Sequence, residues 1–155
     1  MLNNYSSEDK VLLAVDCIIF GFDQEELKIL LIKRDFEPEK GKWSLMGGFL
    51  KRTENLDEAA NRILSHLTGI QDIYMEHFSK VDRDPAERTL SVAYFALINI
   101  AEHNQELIEQ YSAKWFSISE APDLIFDHNA MVRRAINRLR HRAITKPIGF
   151  ELLPE

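Results

Sequence analysis

The residues best suited to chemistry lie in one stretch, residues 47–70, which reads GGFLKRTENLDEAANRILSHLTGI. Glu54 and Glu58 are four positions apart, so they lie on or near one face of a helix, and Asp57 adds another carboxylate. Carboxylate oxygens are the ligands that hard divalent cations such as Mg²⁺ require. The stretch could therefore hold a weak cation site. His66 is poor evidence for zinc, because no second His or Cys has suitable spacing.

The spacing of this stretch resembles the Nudix box, which reads Gly, five residues, Glu, seven residues, then Arg-Glu-hydrophobic-any-Glu-Glu-any-Gly-hydrophobic. The frame is kept without a gap, and the matching residues are Gly48, Glu54, Arg62, Leu64, Gly69 and Ile70. The arginine after the second apolar run and the segment WSLMGGF also resemble Nudix proteins. The resemblance implies an α/β protein with the Nudix fold, in which a mixed β-sheet is sandwiched between helices.

The box departs from the family pattern at its three other signature positions, which are glutamates in active members. Here these positions are Ile63, His66 and Leu67. In Nudix enzymes the helical glutamates hold divalent metal against a diphosphate, and two hydrocarbons and an imidazole cannot replace those oxygen ligands. We therefore expect the Nudix fold without the Nudix reaction, with no catalytic residues, no metal and no cofactor.

The helix of the box is expected to begin near Asn55, a good N-cap residue, and to end at Gly69. Its apolar face includes Ile63 and Leu67, so core packing is the simpler explanation of both residues. His66, one turn beyond Arg62, could contact a sugar hydroxyl or a phosphate.

Four box residues are expected to be structural, and these are Gly48, Glu54, Arg62 and Gly69. Nudix proteins use an ion pair between the loop glutamate and the helical arginine to shape the box, which the resemblance assigns to Glu54 and Arg62. Glu58 lies four residues before Arg62 and is a second possible partner.

The remaining chain alternates apolar runs with turns. Strands are predicted over residues 11–20, 27–33, a short run ending at Gly47 and Gly48, 73–81, 89–100 and 113–118. The first two should form a hairpin across the sequence GFDQEE. Residues 101–112 are polar enough for a loop or an exposed helical turn. A second helix should begin at Asp127, which is predicted to cap it.

Two polar positions leave alternatives open. Asp16 interrupts the first apolar run, and a buried carboxylate needs a partner, so either a structural hydrogen bond or a binding role explains it. Arg83 and Arg88 flank the turn DRDPAER, and a guanidinium suits a phosphate or a carboxylate. Carboxylates at positions 82, 84 and 87 make a self-neutralised surface turn an equally good interpretation.

The second predicted helix carries a basic stripe, formed by Arg133, Arg134, Arg138, Arg140 and Arg142. A solvated helix surface explains this stripe. The alternative is a face that meets a nucleic-acid backbone or an acidic partner domain.

The last third of the chain extends the resemblance. The sequence Phe126-Asp127-His128, a helix and then PIGFELLP resemble Nudix-related transcriptional regulators, of the arabinose-responsive and NrtR types. That resemblance implies a Nudix-like effector-binding domain over residues 1–143. Residues 144–155 would begin a linker to a C-terminal winged-helix domain that this sequence does not contain. It also implies a homodimer that reaches DNA through the winged helix.

In such regulators the effector is a sugar or a sugar nucleotide, of the L-arabinose or ADP-ribose class, and it lies between the box helix and the sheet. Candidate ligand contacts are Arg34, Trp43, Phe49, His66, Phe126 and His128. Trp43, Phe49 and Phe126 would stack on a sugar, and the other three would make polar contacts. Core packing explains Trp43 and Phe126 equally well.

Two other functions are compatible with the sequence. One is a metal-dependent Nudix hydrolase of nucleoside-diphosphate sugars, with ligands rebuilt from Glu54, Glu58 and Asp57. The other is a dimerisation module without a small-molecule site.

Composition excludes several broad classes. A chain of 155 residues with 45% hydrophobic residues suits one domain, and a net charge of −6 does not suit a general nucleic-acid surface. No apolar run approaches the length of about 18 residues that a membrane span requires. The single cysteine, Cys17, lies in an apolar run and is expected to be a core residue, so a reducing cytoplasm is the expected compartment.

Overall fold

A computed structural model describes residues 5–64, 74–100 and 112–145, except for the side chains of residues 74–76 and 143–145. Within these ranges seven strands form one mixed sheet. They are β1 (Leu12–Phe22), β2 (Leu27–Lys33), β3 (Trp43–Ser44), β4 (Met46–Phe49), β5 (Tyr74–Phe78), β6 (Thr89–Asn99) and β7 (Ala113–Ser117). The helices are α1 (Leu56–Ile63) and α2 (His128–Thr145), and short 3-10 turns cover Tyr5–Ser7 and Ile118–Glu120.

Strand β1 organises the sheet, because it is paired along both edges. It runs parallel to β6 over its whole length, from Leu12 opposite Thr89 to Phe22 opposite Asn99. Its other edge pairs antiparallel with β4 near its start and with β2 near its end. Strands β3 and β7 both pair with β2, and β5 pairs with β6. The first half of β1 therefore lies beside the two glycines of β4.

The two faces of the sheet are covered by different helices. Side chains alternate along a strand, so Val15, Cys17 and Ile19 of β1 pack with α1, whereas Ile18 and Phe20 pack with α2. Helix α1 contributes small residues to its face of the core, and α2 contributes Met131, Ala135 and Leu139. This arrangement confirms the predicted fold class, a mixed sheet between helices.

Cys17 is a core residue, as predicted. Its side chain is buried, and burial together with the charge of Asp16 raises the pKa of its thiol to about 12. The thiolate is the reactive form of cysteine, so this thiol is inert at neutral pH.

The predicted elements differ from the observed ones mainly at their ends. Strand β5 ends at Phe78, because residues 79–81 already enter the turn and Val81 is exposed. Helix α2 continues to Thr145, so the predicted domain boundary after residue 143 lies within its last turn. Helix α1 ends at Ile63 with Leu64 as its C-cap, so it ends before the predicted position at Gly69. Gly69, His66, Leu67 and the polar segment 101–111 lie outside the described residues.

The basic stripe of α2 is not uniformly solvated. Arg133, Arg134 and Arg140 are exposed, but the Arg134 guanidinium also lies 5.3 Å from the centre of the Phe78 ring. Arg134 and Arg138 border a small apolar pocket between α2 and the sheet. Part of the stripe therefore packs along the sheet, and its role in meeting a partner stays a prediction. In the ranges that are described, neither helix is long and apolar enough to cross a membrane.

Candidate functional site

A cavity in the described part of the chain has a volume of about 610 Å³, including space that is open to solvent. It lies on the α2 face of the sheet, at the N-terminal end of α2. Its walls come from the first half of β1, the end of β2, β4 and the segments 83–84 and 126–128. No described residue of α1 lines it, and it lies beside the turn that precedes α1. The expected position of the effector, between the box helix and the sheet, stays a prediction.

The floor of the cavity contains a buried carboxylate. Asp16 has the same orientation on β1 as Ile18 and Phe20, so its side chain points toward the α2 face. Ser91 of the neighbouring strand β6 donates a hydrogen bond from Oγ to Asp16 Oδ2, at 2.5 Å. Arg83 Nη2 lies 3.9 Å from the same oxygen. The structural hydrogen bond that was one interpretation of Asp16 is therefore present, and it engages one of its two oxygens.

Arg83 is a buried cation, although it lies in a turn whose other residues are mostly exposed. Its Nε and Nη2 donate to the two carboxylate oxygens of Asp127 at 2.9 and 2.7 Å, and its side chain is 2% exposed. This bidentate geometry is the strong form of a guanidinium–carboxylate pair. The pair corrects two predictions. The neighbouring carboxylates do not neutralise Arg83, and the Asp127 carboxylate binds Arg83, although its carbonyl accepts from the Met131 N–H at the start of α2.

His128, the first residue of α2, completes the floor. The backbone N–H of Leu45 donates to His128 Nδ1 at 3.2 Å, so the neutral ring carries its proton on Nε2. That Nε2 lies 3.7 Å from Asp16 Oδ1. Burial lowers the pKa of His128 and outweighs the opposing effect of Asp16 and Asp127. The imidazole is therefore held neutral, in one tautomer, beside a carboxylate.

The rim of the cavity is aromatic and carries one further cation. Arg34 Nε donates to the carbonyl of Pro38 at 2.7 Å, and its guanidinium stacks 4.0 Å from the centre of the Phe36 ring. Phe36 and Phe49 are 55% and 51% exposed. Phe126 has a left-handed backbone, with φ of 49°, and its ring meets the His128 ring edge-on. Flat apolar groups and a guanidinium thus border the same opening.

The carboxylates of the box are engaged in local structure. Arg62 donates to both oxygens of Glu54 at 2.9 and 2.7 Å and to the Phe49 carbonyl at 2.9 Å. This pairing lowers the pKa of Glu54 to about 2. Glu58 and Asn55 form a capping box at the start of α1, so Glu58 does not provide the second partner considered for Arg62.

The described part of the box offers no cluster for a metal. Ile63 packs against the α1 side of the core, and its side chain lies 3.5 Å from where a Cβ on Gly48 would be. Across the described ranges no group of three or more His, Cys, Asp or Glu side chains is arranged to hold a metal ion.

Comparison with known proteins identifies the family. The model of the NUDIX domain matches residues 10–138, which is most of the chain. The chain belongs to the Nudix domain family.

Two known proteins are similar in sequence to this Nudix domain. The ADPR-responsive transcriptional repressor NtrR of Acinetobacter baylyi is 36% identical over 150 residues, which are 92% of this chain and 60% of the repressor. The ADP-ribose pyrophosphatase of Methanocaldococcus jannaschii is 33% identical over 123 residues, 77% of this chain and 70% of the enzyme. The chain thus spans less than two thirds of the repressor's length.

A solved structure supports the fold assignment. The NUDIX domain of Shewanella oneidensis NrtR, complexed with ADP ribose, matches with a TM-score of 0.72 at 27% identity. The match covers 88% of this chain and 94% of that one. The chain is therefore similar both to ADP-ribose-responsive Nudix regulators and to a Nudix pyrophosphatase.

The cavity described above is lined by four of the six predicted ligand contacts, Arg34, Phe49, Phe126 and His128. Trp43 does not line it. Its ring packs edge-on against Phe116, 4.9 Å between centres, within the α2 side of the core, which favours the core-packing explanation. His66 lies outside the described residues. Ligand binding by these residues stays a prediction.

Sequence reasoning missed Phe36 and Gly47, which line the cavity, and Ser91, which donates a hydrogen bond to Asp16 in its floor. It also left the roles of Asp16 and Arg83 open, with a self-neutralised surface turn as one interpretation of Arg83. The alternation of β1 and β6 could have placed Asp16 and Ser91 on the face of Ile18 and Phe95, because each shares their orientation. No local signal links Arg83 to Asp127, which lies 44 residues away.

Proposed function

We propose that this chain is the ligand-sensing part of a bacterial transcriptional regulator, that its cavity binds ADP-ribose and that it does not hydrolyse this ligand. The observation that carries the proposal is the cavity itself, in which a stacked arginine and exposed aromatic rings border a polar floor. The similarity to an ADPR-responsive repressor and to an ADP-ribose complex supports it.

The chemistry of the rim suits the adenine and diphosphate groups of ADP-ribose. Exposed Phe36 and Phe49 offer flat apolar surfaces on which a purine can stack. Arg34 offers a planar cation for the diphosphate, and its stacking on Phe36 fixes that cation at the opening.

The absence of hydrolysis is proposed from the box. A Nudix reaction requires divalent cations beside the diphosphate, and those cations require several oxygen ligands. Glu54 is neutralised by Arg62, and Glu58 is held in the capping box. The three signature positions that remain are Ile63, His66 and Leu67.

The regulatory part of the proposal concerns regions beyond this chain. Since the chain spans 60% of the Acinetobacter repressor, DNA binding is assigned to a winged-helix domain that follows residues 144–155. We expect the regulator to act as a homodimer, which matches paired DNA half-sites. ADP-ribose would act by binding one arrangement of the domains more tightly than another.

The second candidate function is an ADP-ribose pyrophosphatase with an altered box. The observation in its favour is the 33% identity to the Methanocaldococcus enzyme. Both candidates bind ADP-ribose, so binding alone does not separate them. They differ in whether Mg²⁺ is needed and in whether AMP and ribose 5-phosphate are released.

Calorimetry with ADP-ribose, in EDTA and again in Mg²⁺, tests the proposal. We expect equal affinity in both buffers and no AMP by chromatography after prolonged incubation. Arg34→Gln should weaken binding at least about tenfold, since a charge-assisted contact is worth about 1.5–3 kcal/mol. Arg133→Gln removes an exposed arginine of α2 that does not line the cavity, and it should leave the affinity unchanged.

Two results would overturn the proposal. One is the absence of ADP-ribose binding. If L-arabinose and ribose 5-phosphate also failed to bind, the whole class of sugar and sugar-nucleotide effectors would be excluded. The other is Mg²⁺-dependent release of AMP that Glu54→Gln abolishes, which would establish the hydrolase.

A further inference from the structure

Two polar atoms of largely buried side chains face each other across a gap in the floor of the cavity. Asp16 Oδ1 and His128 Nε2 are 3.7 Å apart, which is too long for a hydrogen bond between them. The two side chains are only 8% and 5% exposed. Within the described ranges neither atom has a hydrogen-bond partner, and both residues line the cavity. A carboxylate acceptor and a ring N–H donor thus remain free side by side.

Each side chain is held by a hydrogen bond to its other polar atom, so neither can rotate toward a different partner without breaking that bond. Asp16 Oδ2 is held by Ser91 and lies near Arg83, which leaves Oδ1 toward the cavity. His128 Nδ1 accepts from the Leu45 N–H, which leaves the Nε2 proton toward the cavity. Both residues line the cavity, so a ligand group that can donate and accept a hydrogen bond can pair with the two free atoms.

A glycine keeps this pair accessible. A Cβ at position 47 would lie 2.5 Å from Asp16 Oδ1 and 2.8 Å from the Val15 carbonyl, so no side chain fits there without displacing one of them. Gly47 also lines the cavity. The backbone of β4 therefore approaches Asp16 closely without covering Oδ1.

We propose that Asp16 Oδ1 and His128 Nε2 together bind one hydroxyl group of the terminal ribose of ADP-ribose. The proposal rests on the proposed function and names the part of the ligand that the floor recognises. A hydroxyl oxygen accepts from Nε2–H and donates its own proton to Oδ1. A 3.7 Å separation leaves room for an oxygen within hydrogen-bond distance of both atoms.

The same pair discriminates against phosphate. An ionised phosphate oxygen has no proton for Asp16 Oδ1, and the two negative charges repel each other. The ligand should therefore place its ribose on the floor and its diphosphate toward Arg34. Asp16 is then a specificity-determining residue that selects a sugar hydroxyl.

The test compares ADP-ribose with ADP, which lacks the terminal ribose, by calorimetry on the intact chain. Asp16→Asn keeps the shape of the side chain and leaves its oxygen for Ser91, but it turns a donor toward the cavity. We expect Asp16→Asn to weaken ADP-ribose about tenfold, the loss of one hydrogen bond of about 1.4 kcal/mol. ADP should bind unchanged or more tightly, since a negative charge has been removed.

Asp84→Asn is the matched control. Asp84 also lines the cavity, and its Oδ1 accepts from the Ala86 N–H, so the variant removes the same charge without removing a free acceptor from the floor. We expect it to change both ligands by the same factor. If Asp16→Asn behaves in the same way, the inference is overturned while the proposed function stands. If the unmodified chain binds neither ligand, the proposed function fails.

A measurement without a variant covers the case in which Asp16→Asn does not fold. In the ¹⁵N spectrum of histidine-labelled protein, the Nε2 resonance of His128 should move with ADP-ribose and stay in place with ADP. His128→Gln assigns that resonance. A resonance that moves equally with both ligands, or with neither under saturating ADP-ribose, contradicts hydroxyl recognition at this pair.

Discussion

The most consequential residues of this Nudix domain form one buried polar cluster of Asp16, Arg83, Asp127 and His128, at the floor of the cavity. Arg83 satisfies Asp127 fully and Asp16 partly, and the backbone of Leu45 fixes His128. Removing one member leaves another charge buried without compensation, which is the costly event for such clusters. The cluster therefore couples the stability of the fold to the shape of the cavity.

Asp127→Ala should destabilise the protein strongly. The substitution leaves the Arg83 guanidinium, whose side chain is 2% exposed, without its bidentate partner. Breaking a buried pair costs about 3–5 kcal/mol, and we expect about 3 here because Asp127 is 21% exposed. Urea unfolding measures the change. Asp82→Ala, at a carboxylate 78% exposed, is the control and should stay within about 0.5 kcal/mol of the parent. Equal effects of the two would show that Arg83 does not depend on Asp127.

Stability should fall in mild acid because of His128. Burial lowers the pKa of His128 in the folded protein below its ordinary value of about 6.5. The unfolded chain then binds the proton more readily, so the contribution of this group is complete above pH 6.5 and is lost as the pH falls toward the folded pKa. Unfolding free energies between pH 7.5 and 5.5 should show this loss.

His128→Gln provides the comparison for that pH series. Glutamine offers an oxygen to the Leu45 N–H but does not titrate. Its free energy of unfolding should therefore vary less with pH over the same interval. Parallel pH profiles for the two proteins would assign the acid sensitivity to other groups.

At the scale of elements, the cavity depends on how closely β4 lies against β1. The two strands pair from Ala14 opposite Phe49 to Cys17 opposite Met46, which places Gly47 opposite Asp16. Neither Gly47 nor Gly48 has a left-handed backbone, so a requirement for positive φ does not explain them. The room available for a side chain explains the glycines instead, and this room differs between the two positions.

Gly47→Ala and Gly48→Ala should therefore have unequal effects. The added Cβ at position 47 meets Asp16 Oδ1 at 2.5 Å and the Val15 carbonyl at 2.8 Å, whereas at position 48 its nearest neighbour is Ile63 at 3.5 Å. Overpacking costs about 1–3 kcal/mol, so we expect a loss of that size at position 47 and little change at position 48. Thermal unfolding of the two variants measures this. A greater loss at position 48 would contradict the steric explanation.

Separation along the sequence decides which features could be predicted. Contacts between residues close in sequence were predictable, and contacts between distant residues were not. The strands and the capped start of α1 were predictable, because alternation and the Asn55–Glu58 capping box are local patterns. The Glu54–Arg62 pair was accessible through the spacing of the box. The role of Arg83 stayed open because its partner is 44 residues distant, and the carboxylates next to it in sequence offered an alternative local explanation. The residues of the cavity floor were only partly predictable from the sequence for the same reason.

At the scale of the whole molecule, residues of the sheet and the first residue of α2 line the cavity, whereas no described residue of α1 does. Leu45, beside β4, donates to the first residue of α2, and α1 packs on the opposite face of the sheet. A ligand in the cavity therefore bridges β4 and the start of α2. Because α2 is a single helix of 18 residues, about 27 Å long, any constraint on its first turn is carried along its length.

Hydrogen exchange should reveal this asymmetry. ADP-ribose should slow the exchange of amides that open locally in residues 45–49 and 126–131, by up to about 100-fold at a ligand concentration of about 100 times Kd. Those amides include Leu45 N–H, which His128 accepts, and Met131 N–H, which Asp127 accepts. Locally opening amides of α1 should change little, because no described residue of α1 lines the cavity. Arg34→Gln at the same ligand concentration is the control and should show less protection. Protection confined to α1 would place the ligand on the other face of the sheet.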